Sequence, residues 1–360
     1  VHNKTFMAVA AGLGLVALPV LTGCGSSDAK GSTDSKTVTL VSHDSWAVSK
    51  NVVKDFEKQS GYKVKVLKDG DAGQAVNKAI LTKDNPQGDV FFGVDNTLLS
   101  RALDNGLFQP YQAKGSDTIL PEQRVDQDKH RVTPVDTGDI CVNYDKAWFS
   151  EHKLTPPQSF ADLAEPQYKN LLVTENAATS SPGLGFLLGS AAKFGDDGWQ
   201  DYWKKLEANG VKVVDGWEQA YYQEFSGSSE GRKAGGDRPL VVSYASSPPA
   251  EVIYAKKRPS TAPTGVSYGT CFRQTEYAGL LSNAKNTEGG KAFLDFLLTK
   301  EFQDDMPLNM FVYPVVKGAA VPAEFTKYGP AAKNPETMAP DKIAANRDQW
   351  VKSWTSLVLK

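Results

Sequence analysis

From residue 37 onward the apolar positions switch between a period of two and a helical period. TVTLVSH (37–43) reads as a strand, and 51–60 places Val52, Val53 and Phe56 on one helical face with Gly61 as its stop. YKVKVL (62–67) alternates and predicts a second strand; 73–82 predicts a helix, GDVFFG (88–93) a short buried strand, and 97–104 a helix ended by Asn105-Gly106. This strand-helix alternation predicts an open, largely parallel sheet with helices on both faces. A second block repeats it, with strands at 170–176, 211–216 and 239–245 and helices at 183–194, 197–208 and 217–225. Farther on, 290–298 reads as a helix, and IAANRDQWVKSWTSLV is amphipathic with Trp350 and Trp354 on one face. The Gly-, Ser- and charge-rich stretch 226–239 reads as a surface loop.

Two α/β blocks predict two lobes with a cleft between them. The expected division is a first lobe over 37–138, a second over 139–273, and a return segment over 274–360 that completes the first. Ahead of residue 37 the pattern changes. His2 and Lys4 form a basic start, 6–20 is an apolar run, and Leu21-Thr22-Gly23-Cys24 follows. A basic start, a short apolar run and a small-residue site predict an export signal over 1–23. The run is too short for a membrane span. The 24–36 stretch, small and polar, reads as a flexible tether.

Composition narrows the function classes. The chain of 360 residues has 40 basic and 42 acidic side chains, a formal net charge of -2. Without a large basic field, nucleic acid is not an expected partner. Only four histidines occur, and the chain has no HExxH, GxSxG, Walker or GxGxxG motif, so no enzyme activity is expected and no cofactor. No metal site is expected either: KDGDAG is the one dense acidic spacing and does not match a calcium loop. Outside the cytoplasm the pair Cys141 and Cys271 suggests a disulfide, with two buried free thiols as the other reading.

Ligands of open α/β sheets bind beyond the carboxyl ends of strands, and several short motifs fall there. HDSW follows the first strand, GVDN the third, SSPGLG (180–185) a strand of the second block, DGWEQAY the next, and YASSP the last. SSPGLG opens a helix, where free N–H groups and the dipole favour an anion or hydroxyl; the other reading is an ordinary N-cap with Pro182 in the first turn. Trp217 and Tyr244 at strand ends can stack on a flat ring or face a cation. Asp44 and Asp95 can complement a positive charge. Together these point to a flat, positively charged ligand, with or without a phosphate.

The ordered set HDSWA, FFGVDNTLL, NGLF, NYDK, PPQS, SSPGLG, DGWEQAY, VVSYASSP, FVYPV and ANRDQWVKSW resembles the thiamine-binding proteins of bacterial ABC importers, over nearly all of 37–354. LTGC resembles a lipobox, which implies lipidation at Cys24 and a membrane anchor. The family resemblance implies a two-lobed type II periplasmic-binding fold, monomeric, that captures thiamine or a thiamine phosphate and delivers it to a membrane permease. It implies ligand contacts from Asp44, Ser45, Trp46, Asp95, Asn96, Ser180, Ser181, Gly183, Trp217, Tyr221, Tyr244, Phe311 and Tyr313, with His43 and Asp136 as further candidates. Three positions depart from the family pattern: His43 and Ala250 stand where tyrosines are expected, and Phe311 where a tryptophan is. Trp46 and Tyr254 are candidates to compensate. The competing readings are the same fold carrying another flat cation, a polyamine or ferric iron, and an extracellular hydrolase using the acidic residues. For iron, the adjacent pair Tyr221-Tyr222 is expected to face in different directions on a helix.

Overall fold

Ten strands among the described residues pair into one sheet, whose main path runs β2-β1-β3-β9-β5-β8-β6-β7. The structure, a computed structural model, describes residues 36–359. The expected export signal, Cys24 and nearly all of the tether lie outside the described residues. No helix among the described residues is long and apolar enough to cross a membrane.

The first block forms as its patterning predicts. β1 (Thr37–Ser42) pairs in parallel with β2 (Lys63–Lys68) on one side and β3 (Val90–Asp95) on the other. The helix Lys50–Ser60 crosses between β1 and β2 and stops at Gly61, whose φ of 77° is the left-handed cap that glycine adopts without a Cβ penalty. In the second block β6 (Leu172–Glu175) pairs in parallel with β7 (Lys212–Val214) and with β8 (Leu240–Tyr244). The helices expected at 183–194 and 197–208 form the single segment Ser181–Ala208, broken at Gly195, where φ is 73°. Two-residue strands β4 (Phe108–Gln109) and β10 (Tyr313–Pro314) complete the sheet.

Two long antiparallel strands join the blocks: β5 (Thr133–Asp145) and β9 (Thr264–Leu281). The expected lobe boundaries, 138/139 and 273/274, both fall inside these strands and face each other, Gly138 opposite Gln274 and Asp139 opposite Arg273. Cys141 and Cys271 form a disulfide beside this crossing, at a bulge between Ile140 and Val142. A bulge kinks a ladder, and here the cross-link ties the kinked strands together.

The core forms two main clusters, the larger of which reaches into both blocks. One cluster packs Trp46, Phe56, Phe92, Phe293, Phe296 and Phe302 around the first block. A larger one holds Phe186, Trp199 and Trp203 against Trp350 and Trp354 of the Pro340–Val358 helix. The Trp203 and Trp354 rings meet edge to face at 5.4 Å, the arrangement favoured by the ring quadrupole. The stretch 226–239 departs from the loop reading. It contains the helix Ser229–Ala234, started by buried Ser228, whose Oγ accepts from the Gly231 N–H and donates to the Tyr221 carbonyl.

Candidate ligand-binding site

The strand ends open on one cleft with two connected parts. The inner part is lined by His43 and Ser45 after β1, Asp71 after β2, Ser181 and Pro182 after β6, Trp217 after β7, Tyr244 and Ser247 after β8, Glu276 from β9, and Met310 to Val312. It encloses about 50 Å³. The outer part shares Trp217, Ser247 and Phe311 with it, extends past Tyr221, Tyr222, Ala250 and Tyr254, and encloses about 280 Å³.

Asp71 holds the two blocks together. It caps the helix Ala72–Leu81, accepting the Ala72 N–H at 2.6 Å. Its other oxygen accepts the Trp217 N–H, 146 residues away, at 2.8 Å. A Cβ on Gly216 would lie 2.8 Å from that carboxylate, so this approach requires glycine. The indole of Trp217 is fixed at its other end: Nε1 donates to Ser243 Oγ at 2.9 Å, and Ser243 shares a hydrogen bond of 2.8 Å with Ser247. The face of the indole stacks on Tyr221, centroids 5.1 Å apart and nearly parallel. Phe311 forms part of the opposite rim with φ at 57°, a left-handed conformation that costs a bulky residue of order 1–3 kcal/mol and is tolerated at ligand clamps.

Below the aromatic walls lies an unusual density of acid. His43 Nε2 stands 3.3 Å from Glu276 Oε1. Gly93, with φ at 102°, makes room for that imidazole, since a Cβ there would lie 2.2 Å from His43 Cδ2. Burial works against a charged His43, but the Glu276 carboxylate, with help from Asp71, outweighs it and raises the imidazole's pKa. Asp136 is cross-strand partner to Glu276 and buried without a donor to either carboxyl oxygen. Burial, then Glu276 and Asp95, push its carboxyl well above the usual range. Glu175, at the end of β6, is also buried without a donor and is raised well above its usual range by burial and by Asp71. Burial raises Asp71 as well, against the opposing pull of the Trp217 N–H.

The structure brings Ser45, Ser181, Trp217, Tyr244, Phe311 and His43 to the inner cleft, and Tyr221 to the outer part. It does not bring the other expected residues there. Trp46 turns into the first-block core, edge-on to Phe92 at 4.7 Å, because its neighbours on that side are apolar. Tyr313 lies in β10 and donates its hydroxyl to the Gly329 carbonyl. Asp44 accepts the Gly70 N–H and ties the loop after β1 to the loop after β2. Asn96 clamps the β9 backbone through Arg273 and Thr275. Asp95 is fully buried and receives Thr97, Leu98 and Gln274, while Gln274 also donates to Ser181 Oγ. Asp95 and Asp136 therefore act from beneath the cleft. Ser180 and Gly183 pack behind it, Gly183 so close to the Glu175 carbonyl that a Cβ would lie 2.5 Å away. Tyr221 and Tyr222 both line the outer part, contrary to the helical expectation. The turn Ala220–Glu224 is π-helical and sets the two rings at 88°.

Sequence reasoning missed Asp71, Glu276, Glu230 and Glu251 as cleft residues, whereas Ser247 lies in the YASSP strand-end motif. Asp71 was accessible to the strand-end rule, since KDGDAG follows β2. Glu276 lies in the polar run RQTE inside an otherwise apolar strand, a pattern with no recognised motif.

Comparison with known proteins decides the family. Residues 85–231 match the model described as bacterial extracellular solute-binding protein. The thiamine-binding periplasmic protein of Escherichia coli K12 is 31% identical over 326 residues, covering 89% of this chain and 93% of its own length. The chain belongs to the family of thiamine-binding periplasmic proteins. A solved periplasmic thiamin binding protein superposes on this family member with a TM-score of 0.77 at 27% identity, over 89% of this chain and 96% of that one. The ferric binding protein of Campylobacter jejuni shares the fold alone, with a TM-score of 0.69 at 17% identity over 89% of this chain and 99% of that one. The fold of this solute-binding protein is thus the two-lobed type II periplasmic-binding fold.

Proposed function

We propose that the protein captures thiamine, free or phosphorylated, outside the cytoplasm and delivers it to the permease of an ABC importer, tethered to the membrane by acyl chains on Cys24 and acting as a monomer. The observation that carries this reading is the pairing of aromatic walls with an acidic floor. Trp217, Tyr244 and Phe311 offer ring faces, Asp71 and Glu276 offer carboxylates, and neither lysine nor arginine lines either part of the cleft. A flat cation gains about 0.5–2 kcal/mol from a desolvated aromatic face, and an amino group gains about 1.5–3 kcal/mol from a charged acceptor. Closure follows from the same contacts. Asp71 belongs to the first block and Trp217 to the second, so a ligand touching both favours the form in which they meet.

The test is a fluorescence and calorimetric titration of the ligand-stripped protein with thiamine, spermidine and ferric citrate. Saturable binding of thiamine that falls ten- to a hundredfold in Asp71→Asn supports the reading. Binding of spermidine or iron without thiamine overturns it. Release of Cys24→Ser protein from the membrane fraction tests the anchor.

A further inference from the structure

The N-terminal turn of the helix Ala72–Leu81, in the first block, abuts the turn that precedes the helix Ser181–Ala208, in the second. The Gln74 N–H donates to the Thr179 carbonyl across this boundary at 3.0 Å. An N–H of the first helical turn has no partner within its own helix, and here the other block supplies one. The approach leaves no room for a side chain. A Cβ on Gly73 would lie 2.7 Å from both the carbonyl carbon and the oxygen of Thr179, and 3.2 Å from the Ala178 oxygen. These are backbone atoms, which cannot rotate aside.

The receiving turn is held in place. Asn176 Oδ1 accepts the Ala178 N–H at 2.9 Å, and the Asn176 carbonyl accepts the Thr179 and Ser180 N–H groups at 3.1 and 3.0 Å. Thr179 Oγ1 donates to the Asp215 carbonyl at 2.7 Å. Asp215 adjoins Gly216, whose missing side chain admits the Asp71 carboxylate of the first block. Each block thus presents a glycine to the other. Gly73 stands in helical backbone and Gly216 in extended backbone, with φ at -159°, and both conformations are open to any residue. Glycine inside a helix weakens it relative to alanine. That local cost at Gly73 is explained by the closeness of the blocks, not by backbone freedom.

We propose that the seam of Gly73 and Gln74 on the Thr179 turn is a closure latch, which forms as the lobes close and sets how long a captured ligand stays. Every atom of the seam belongs to the protein, so Gly73, Gln74 and Thr179 are positioning residues that act on the ligand through the lobe angle. The inference takes its probe from the thiamine reading and goes beyond it, because the latch recognises no ligand and holds whichever one closes the cleft. A contact made only in the closed form shifts the equilibrium toward that form. Such a gain is read mainly in the dissociation rate.

The experiment compares the full-length wild type with Gly73→Ala, each stripped of ligand. Stopped-flow tryptophan fluorescence reads thiamine association and release. Small-angle scattering reads the radius of gyration with and without saturating thiamine, and thermal melts read the ligand-free fold. Gly73→Ala should release thiamine at least about tenfold faster with association little changed, and its saturated radius should stay nearer the ligand-free value than the wild type's does. Its ligand-free melting temperature should be no lower than the wild type's, since alanine is the better helix former and the latch is undone without ligand. A merely local packing role would lower the melt and leave the radius alone. Unchanged release, a saturated radius equal to the wild type's, or a lower ligand-free melting temperature up to failure to fold overturns the proposal while leaving the thiamine reading intact. Wild-type protein that binds no thiamine removes the thiamine reading instead.

Discussion

Replacing Asp95 by asparagine should flatten the acid limb of the stability curve. Asp95 is fully buried, and its carboxylate accepts Thr97 Oγ at 2.6 Å, the Thr97 and Leu98 N–H groups, and Gln274 Nε2 at 2.6 Å. Burial nevertheless outweighs these donors, and with Glu276 nearby the carboxyl is pushed up from 3.8 to about 6. A carboxyl raised on folding binds its proton more tightly in the native state than in the unfolded chain. Stability therefore falls as pH rises from about 4 to about 6, and the loss persists above that. The rise from 3.8 to about 6, at about 1.36 kcal/mol per pKa unit, amounts to about 3 kcal/mol. Asparagine keeps the oxygen that receives Thr97 and Leu98. Its amide can meet Gln274 if that side chain turns its oxygen inward, with Ser181 then donating. Urea unfolding of ligand-free wild type and Asp95→Asn, followed by tryptophan fluorescence at pH 4, 5.5 and 7, measures the effect. The free-energy difference should move in the variant's favour by about 2.4 kcal/mol between pH 4 and 7, because at pH 4 the unfolded carboxyl has already lost about half its proton. Glu175 titrates alike in both proteins and cancels in the difference, whereas Asp136, which Asp95 helps to raise, is relieved in the variant and moves the difference further in the same direction. Parallel pH curves for the two proteins would refute the reasoning.

Three further outcomes are expected. Affinity for a cationic ligand should rise as pH rises above the ordinary imidazole range. His43, raised from 6.5 by Glu276 against burial and faced also by Asp71 and Lys68, gives up its proton on the alkaline side of that value and leaves the Glu276 charge to the ligand; calorimetry across a series of pH values reads it, and His43→Gln should abolish the dependence. The same group contributes stability that is complete below about 6.5 and is lost as pH rises through its higher folded pKa. Cys271→Ser opens a cross-link spanning 130 residues and should cost about 5 kcal/mol in the chain-entropy account, measured by urea unfolding, with ligand affinity little changed. Trp46→Ala should cost about 3–5 kcal/mol of stability without altering affinity, whereas Trp217→Ala should lose affinity with a smaller effect on unfolding.

Where one periodicity dominated, the chain was legible. The strands of both blocks lie where alternation or apolar runs placed them, and Gly61 ends its helix as the pattern required. The cleft was legible to the extent that its residues follow strand ends: Ser181, Trp217 and Tyr244 all do. Illegible residues were those whose direction depends on tertiary neighbours. Trp46 sits two positions beyond Asp44 in a motif that reads as a unit, yet the apolar face of Phe92 and Phe302 draws it into the core. Tyr221 and Tyr222 share a wall because one turn is π-helical, and the local sequence does not specify that turn. The helix at Ser229 starts in a stretch whose composition suits a loop, because Ser228 finds buried partners that composition does not disclose.

The acids beneath the cleft connect recognition to motion. Asp136, Gln274 and Glu276 all lie on β5 and β9, the strands that join the two blocks, with Gly138 opposite Gln274 at their crossing. Any rotation of one lobe on the other must bend these strands, because they are the sheet's continuous path from one block to the next. Gln274 ties that crossing to Asp95 in the first block and to Ser181 in the second. The charge a cationic ligand meets is thus carried by the segment that deforms on closure, and ligand charge and lobe angle act on the same few side chains. A fixed floor under one lobe would attract a cation without favouring either lobe angle; a floor shared by the crossing strands gives the ligand the differential affinity that closure needs.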